Sequence, residues 1–394
     1  MSWPVVSLSS VATINPRCPK DIDENQLVSF VAMASASEEG ILLQEEIRVL
    51  GDTKKGFTYF EKEDVLLAKI TPCFENGKSL RPFQISKQVG FGSTEFHVVR
   101  ADEKKLLPQY LFYLLWSNAF RFAGEHAMSG AAGQKRVGTD FLKDLEIPLP
   151  PLDEQKRIAV ILDKADAIRQ KRKQAIVLAD EFLRSVFLEM FGDPVTNPKG
   201  FPLGTIRDLV ESANYGTSGK ASESEGEYPV LRMGNITYQG SWDFSDLKYI
   251  DLAEKELPKY LVHKGDLLFN RTNSRELVGK TAVYEEELPM AFAGYLVRVR
   301  ANEMGNTYYL SGYLNSGHGK KVLSGMCKSI VGMANINAQE LQNIKLLLPP
   351  IELQNRYEEI VKAVRSRVST QIVSLTELNE LFSSLSQKAF SGQL

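Results

Sequence analysis

Few residue groupings in this 394-residue chain have types and spacing that could do chemistry. Two triplets, Gly77-Lys78-Ser79 and Gly279-Lys280-Thr281, carry the ending of a phosphate-binding loop. Such a loop also needs a glycine five positions earlier, so that backbone N–H groups can cradle phosphate. Pro72 and Ser274 stand there instead, and proline has no N–H to offer, which excludes both as nucleotide sites. His97, His126, His263 and His318 are isolated from one another and from Cys or carboxylate at ligand spacing, whereas a closed zinc site needs four clustered N or S ligands. The chain has no G-x-S-x-G elbow, no H-E-x-x-H and no Asn-Pro-Pro-Tyr-type tetrapeptide. The residues therefore predict a chain without an active site, metal or cofactor of its own, not an enzyme by itself.

The elements that could position other chemistry come in duplicate, with a period of about half the chain. Trp3–Leu8 matches Phe201–Ile206, and Asp64–Thr71 matches Gly265–Thr272 with a slip of one residue. Phe96–Ala101 matches Leu296–Ala301, and each half then runs into Leu-Pro-Pro, at Leu149-Pro150-Pro151 and Leu348-Pro349-Pro350. The blocks are collinear, so the chain reads as two mixed α/β segments alternating with two helical ones. The predicted division is 1–147, 148–193, 194–347 and 348–394. Short apolar runs punctuated by Gly, Pro and Asn, such as Val65–Ile70 and Gly265–Phe269, read as strands and turns. Pro108–Phe122 and Tyr308–Leu323 read as one helix in each half.

From Leu152 to Phe191 there is neither Gly nor Pro. Ile158, Ile161, Ala165, Ile168, Ala175, Ala179, Phe182 and Val186 recur at helical spacing, as do Tyr357, Val361, Val364, Val368, Leu375, Leu378, Phe382 and Leu385 in the second copy. Matched seams with one polar interruption each, Arg172 and Gln371, predict an antiparallel coiled-coil pair with pseudo-twofold symmetry. About 39 residues at a rise of about 1.5 Å give a rod of roughly 58 Å. Asp153 reads as the N-cap, while Gly192 and Gly392 read as stops. Leu162, Ile176, Leu183 and Phe187 fall off the seam and are expected to face partner helices. The expected class is α+β, two mixed α/β domains joined by two long antiparallel helices. The competing arrangement is a pair of long core helices within one large domain.

The exits Ile147-Pro148-Leu149-Pro150-Pro151-Leu152-Asp153-Glu154-Gln155 and Leu347-Leu348-Pro349-Pro350-Ile351-Glu352-Leu353-Gln354 join this duplication in a pattern that resembles the specificity subunit of type I restriction-modification systems. The resemblance spans essentially the whole chain, and the second exit departs from the pattern at Leu353. It implies two target recognition domains, each reading one half of a bipartite double-stranded DNA target, with the helices setting the gap. It also implies methyltransferase subunits that bring S-adenosylmethionine and methylate adenine N6. A motor-nuclease subunit using ATP and Mg would join them. The location implied is the cytoplasm of a bacterium or archaeon, in association with the nucleoid. Two readers on one face of a duplex lie about one helical turn apart, near 34 Å.

On that resemblance the candidate DNA contacts are polar loops, because Asn, Gln, Arg, Lys, Ser and Thr reach base edges or phosphates. In the first half they are Lys69, Thr71, Asn76, Lys78, Ser79, Gln134, Lys135 and Arg136. In the second they are Asn270, Arg271, Thr272, Asn273, Ser274, Arg275, Lys280, Asn335 and Asn337. Each has a plain alternative as a solvated turn, a surface lysine or a helix cap. Composition offers no shortcut, since 47 basic and 49 acidic residues leave a net charge of −2, so any DNA contact must come from local patches. No run of eighteen apolar residues suggests a membrane span, no secretion signal opens the chain, and three scattered cysteines fit a reducing compartment. The other class of function consistent with these residues is a coiled-coil interaction scaffold with two protein-binding domains; salt-sensitive, sequence-selective duplex binding separates the two.

Overall fold

The structure is a computed structural model that describes residues 3–81, 83–131, 133–274, 277–327 and 334–394. The chain divides into two compact units, one comprising Met1–Lys173 with Val373–Leu394, the other Gln174–Ile372.

In the first unit, alternating apolar residues build two small sheets. One is antiparallel, in the order Ala12–Ile14, Phe96–Ala101, Val65–Ala68, Ser79–Leu80. The other runs Glu46–Val49, Leu27–Val31, Val89–Gly92, Thr58–Glu61, and Leu27–Val31 lies parallel to Val89–Gly92. Val65–Ala68 is buried on both faces, which explains its unbroken apolar run. Val5–Ser7 pairs antiparallel with Glu146–Pro148 and ties the start of the unit to its exit.

The second unit repeats the plan. One sheet runs Val210–Tyr215, Leu296–Ala301, Leu267–Asn270, Thr281–Val283, and the other Lys248–Ile250, Tyr228–Leu231, Met290–Phe292, Leu261–Val262. Tyr228–Leu231 lies parallel to Met290–Phe292, and Leu203–Thr205 pairs with Lys345–Leu347. The duplication seen in sequence is thus a duplication of topology.

The helix expected over Pro108–Phe122 is two helices, Pro108–Trp116 and Asn118–His126. Ser117 breaks it because its hydroxyl accepts from Phe120 N and caps the second piece. Ser316 does the same between Thr307–Asn315 and Gly317–Met326, accepting from Gly319 N.

The two long helices are Leu152–Phe191 and Ile351–Ser391, terminated at Gly192 and Gly392, both at positive φ. Helix geometry already holds at Leu152, so Asp153 lies within the first turn and is not the cap. Each helix contributes to both units. In the first unit Ile158 and Leu162 share a core with Phe382, Leu385, Ala389 and Phe390, so the beginning of one helix lies beside the end of the other. In the second unit Phe187 and Phe191 pack on Tyr357, again antiparallel.

The seam differs from the expected one. Leu162 and Phe187 are buried, and Leu183 packs on the core, because each helix is covered by its α/β unit as well as by the other helix. Ile176 is half-buried. Ile168 and Phe182, placed on the seam by spacing, are about half exposed. Polar keys hold the helices to each unit with the charges reversed. In the first unit Arg81 pairs with the buried Asp166 of the helix. In the second, Arg365 of the helix pairs with Glu285 at 3.3 Å and donates to Gly240 O at 2.9 Å.

Candidate nucleic-acid interface

The exit motif has a defined job in both units. Gln155 is fully buried, accepts from Leu107 N at 2.8 Å, and donates to Lys105 O and Pro150 O at 2.8 Å each. Gln354 repeats this on Asn306 N, Met304 O and Pro349 O. The motif therefore locks each long helix to the loop preceding the helix Pro108–Trp116 or Thr307–Asn315.

The two polar loops of each half, distant in sequence, are stitched together. In the first unit Thr71 N donates to Lys135 O at 3.0 Å and Val137 N to Lys69 O at 2.9 Å. A third segment joins them, as Lys69 N donates to Glu95 O at 2.9 Å. In the second unit Thr272 and Asn273 pair with Asn335 and Ala334, and Ile336 N donates to Arg271 O at 2.9 Å. Arg271 N in turn donates to Tyr295 O at 3.1 Å. Each unit thus presents one rim built from the same three loops.

The side chains on the rims differ. In the first unit Gln134 and Lys135 are exposed, Lys69 and Thr71 half-buried. Arg136 lies along Glu95 through Nε at 3.0 Å and an η-nitrogen at 2.8 Å. Those bonds hold the Glu95 carboxyl below the usual carboxylate range. Beneath the rim His97 is buried. Asn15 Oδ1 accepts from Val98 N, which turns its Nδ2 toward His97 Nδ1 at 3.2 Å. His97 Nε2 therefore carries the hydrogen and donates to Val137 O at 2.9 Å. Burial, reinforced by Lys69, pushes the imidazole below its ordinary value, so it is neutral.

In the second unit Asn335 is exposed, and Arg271, Asn273 and Ser274 are half-buried. Tyr215 and Tyr295 flank them, both more than a third exposed. Elsewhere in the second unit, burial lowers the Lys320 ammonium to about 8, with Arg184 and Lys280 adding repulsion, and it stands 4.9 Å from the Tyr238 ring.

Several of the predicted contacts are covered or already paired within the chain. Ser79, Asn270, Thr272 and Lys280 are buried. Ser79 Oγ and Thr281 Oγ1 donate back to Gly77 O and Gly279 O, closing the two Gly-Lys turns. Both glycines need positive φ, 78° in each case, and a Cβ would meet Arg121 or Leu323. Asn337 caps the helix Ala338–Gln342 by accepting from Gln339 N and Glu340 N at 2.9 Å each. Asn76 donates to Glu38 at 2.9 Å, and Lys78 reaches Met33 O at 3.4 Å. Arg275 lies outside the described residues. Glu95, Tyr215 and Tyr295 were missed by sequence reasoning. Glu95 and Tyr295 stand just before the matched strands Phe96–Ala101 and Leu296–Ala301, a signal the repeat alignment could have supplied.

Among the described residues no cluster of three His, Cys, Asp or Glu could hold a metal ion, and no helix is long and apolar enough to cross a membrane. The class defined here is a duplicated α+β protein whose units each bind segments of two long helices and each carry one three-loop polar rim. The model of the type I restriction modification DNA specificity domain matches residues 2–178 and 198–381, so the chain belongs to that family. It is 42% identical over 164 residues to the EcoEI specificity subunit of Escherichia coli, a match covering 41% of this chain and 27% of that protein. With the EcoKI specificity subunit of Escherichia coli K12 it shares 25% identity over 333 residues, 79% of this chain and 70% of the relative. The match to the EcoAI subunit, like that to EcoEI, spans 27% of the relative's length. In fold, it is similar to the S subunit of a type I system from M. genitalium, at TM-score 0.56 and 15% identity over 99% of this chain and 96% of that one. A chain from a study of complex assembly in the type I R-M system matches at TM-score 0.58 and 20% identity, covering 100% and 98%.

Proposed function

We propose that this chain is the sequence-specific DNA-binding subunit of a type I restriction-modification complex, reading a bipartite target. One observation carries the reading: matched three-loop rims with the same backbone hydrogen bonds and different side chains. A shared scaffold with divergent polar side chains suits two readers of two different half-sites, because base edges are distinguished by donor and acceptor pattern. The contact set comprises the exposed Gln134 and Lys135 with the half-buried Lys69 and Thr71 in the first unit, and the exposed Asn335 with the half-buried Arg271, Asn273 and Ser274 in the second. Ser79, Asn270, Thr272, Lys280 and Asn337 support the rims from below. The chain supplies the address; methyltransferase subunits bring S-adenosylmethionine and methylate adenine N6, and a motor-nuclease subunit uses ATP and Mg, in the cytoplasm of the host. Exposed apolar side chains on the long helices, among them Ile168, Val177, Leu178, Phe182 and Leu381, support docking of methyltransferase subunits there.

The test is mapping of N6-methyladenine in the host genome with and without this gene. Loss of one bipartite motif on deletion is the expected result. Unchanged methylation in a host that expresses the methyltransferase subunit overturns the reading in favour of an interaction scaffold.

A further inference from the structure

At one matched position the two rims carry different cations, Lys69 in the first unit and Arg271 in the second. Both donate their backbone N–H to the carbonyl of the third loop, Glu95 or Tyr295, and both accept from the segment entering the following turn. Lys69 is a point charge on a flexible stem. Arg271 is a planar fork, and it lies against an aromatic ring. Its guanidinium carbon lies 4.8 Å from the centroid of the Tyr215 ring. That ring is itself pinned, because the Tyr215 hydroxyl accepts from Ala338 N at 2.9 Å. One η-nitrogen reaches Gly294 O at a long 3.5 Å. Among the described residues no carboxylate forms an ion pair with Arg271. The contrast with Arg136 is sharp, since Glu95 takes up two nitrogens of that guanidinium.

We propose that Arg271 reads a guanine in the half-site facing the second unit, with Tyr215 as its positioning residue. This rests on the DNA-recognition reading above. A guanidinium presents two parallel N–H groups that match guanine O6 and N7, the commonest specific contact in the major groove. Stacking on a pinned ring removes rotamer freedom before DNA arrives, so less ordering is left for binding. The same fork also fits phosphate, so sequence dependence is what separates a base contact from a backbone one. The first unit lacks this arrangement: its matching strand ends at Ile14, and the chain turns at Asn15, at φ 53°, toward His97. The two half-sites should therefore be read by different chemistry.

The experiment expresses the full chain with the methyltransferase subunit of its host in cells free of other adenine methylation. Methylated motifs are then mapped for the unaltered chain and for Arg271→Lys, Arg271→Ala, Tyr215→Phe and Tyr215→Leu. Arg271→Lys, which keeps the charge and most of the stem, should relax one G·C position in one half of the motif. Discrimination there should fall about ten- to a hundredfold, with the other half unchanged. Tyr215→Leu should relax the same position, and Tyr215→Phe, which keeps the ring, should stay closer to the unaltered motif. An unchanged motif in Arg271→Ala overturns the proposal and leaves the DNA-recognition reading standing. So does a loss of methylation that is uniform over all sequences, the mark of a phosphate contact. Relaxation at unrelated positions by the two Tyr215 variants removes Tyr215 from the proposal. Absence of any motif dependent on the unaltered chain overturns the DNA-recognition reading itself, and this proposal with it.

Discussion

His97 shows how a single residue's surroundings decide its role. Its isolation in sequence argues only against a metal site. In the structure it is a neutral strut linking Asn15 to Val137 beneath the first rim. Its folded value lies below its ordinary 6.5, so the unfolded chain takes up a proton first as the pH falls. The stabilisation is complete above 6.5 and is lost as the pH drops below it. Denaturant unfolding at about pH 7.5 and about pH 5.5 should therefore show a loss of stability in acid. In His97→Val, which installs the type found at the matched Val297, the part of that loss due to this imidazole disappears. An unaltered acid loss in the variant would mean that carboxylates, not His97, govern it.

At the level of elements, the long helices were legible because their apolar spacing persists without Gly or Pro. Which residues they bury was not. A heptad seam assumes one neighbour, whereas each helix here has two, the other helix and an α/β unit, so Leu162 and Phe187 turn inward while Ile168 and Phe182 stay exposed. The Ser117 and Ser316 breaks were hidden for a similar reason: a serine inside an apolar run reads as tolerated until its hydroxyl is seen to accept from the backbone. The exit glutamine is the firmest link between elements. Gln155→Ala strands one N–H and two carbonyls in a buried site and should cost about 2–4 kcal/mol in denaturant unfolding. The same change at Gln354 should cost a similar amount, since its three partners are equivalent. A cost below about 0.5 kcal/mol at both sites would show that water replaces the side chain freely.

For the whole molecule, on the DNA-recognition function proposed above, a net charge of −2 requires that attraction to DNA be concentrated on the rims. Glu95 works against it in the first unit by holding Arg136. Glu95→Gln should release that arginine and raise duplex affinity. It should also steepen the dependence of log affinity on log salt by about one phosphate contact. Binding of the full chain together with a methyltransferase subunit from its host, titrated over a series of salt concentrations, measures both effects. An unchanged slope would mean that Arg136 stays turned away from the duplex even when free.

The duplication, the α+β class, the long helices and the family resemblance are legible along the chain, because they rest on local periodicity and on collinear repeats that any folded form must respect. Which polar residues share a surface follows from long-range packing alone. Lys69 and Lys135, or Arg271 and Asn335, come together through backbone hydrogen bonds between segments about sixty residues apart, which leave no mark in residue spacing. Burial decided the rest. Asn270 and Lys280 look as available as Arg271 along the chain, and only packing in three dimensions covers the first two and leaves the third beside Tyr215 at the rim.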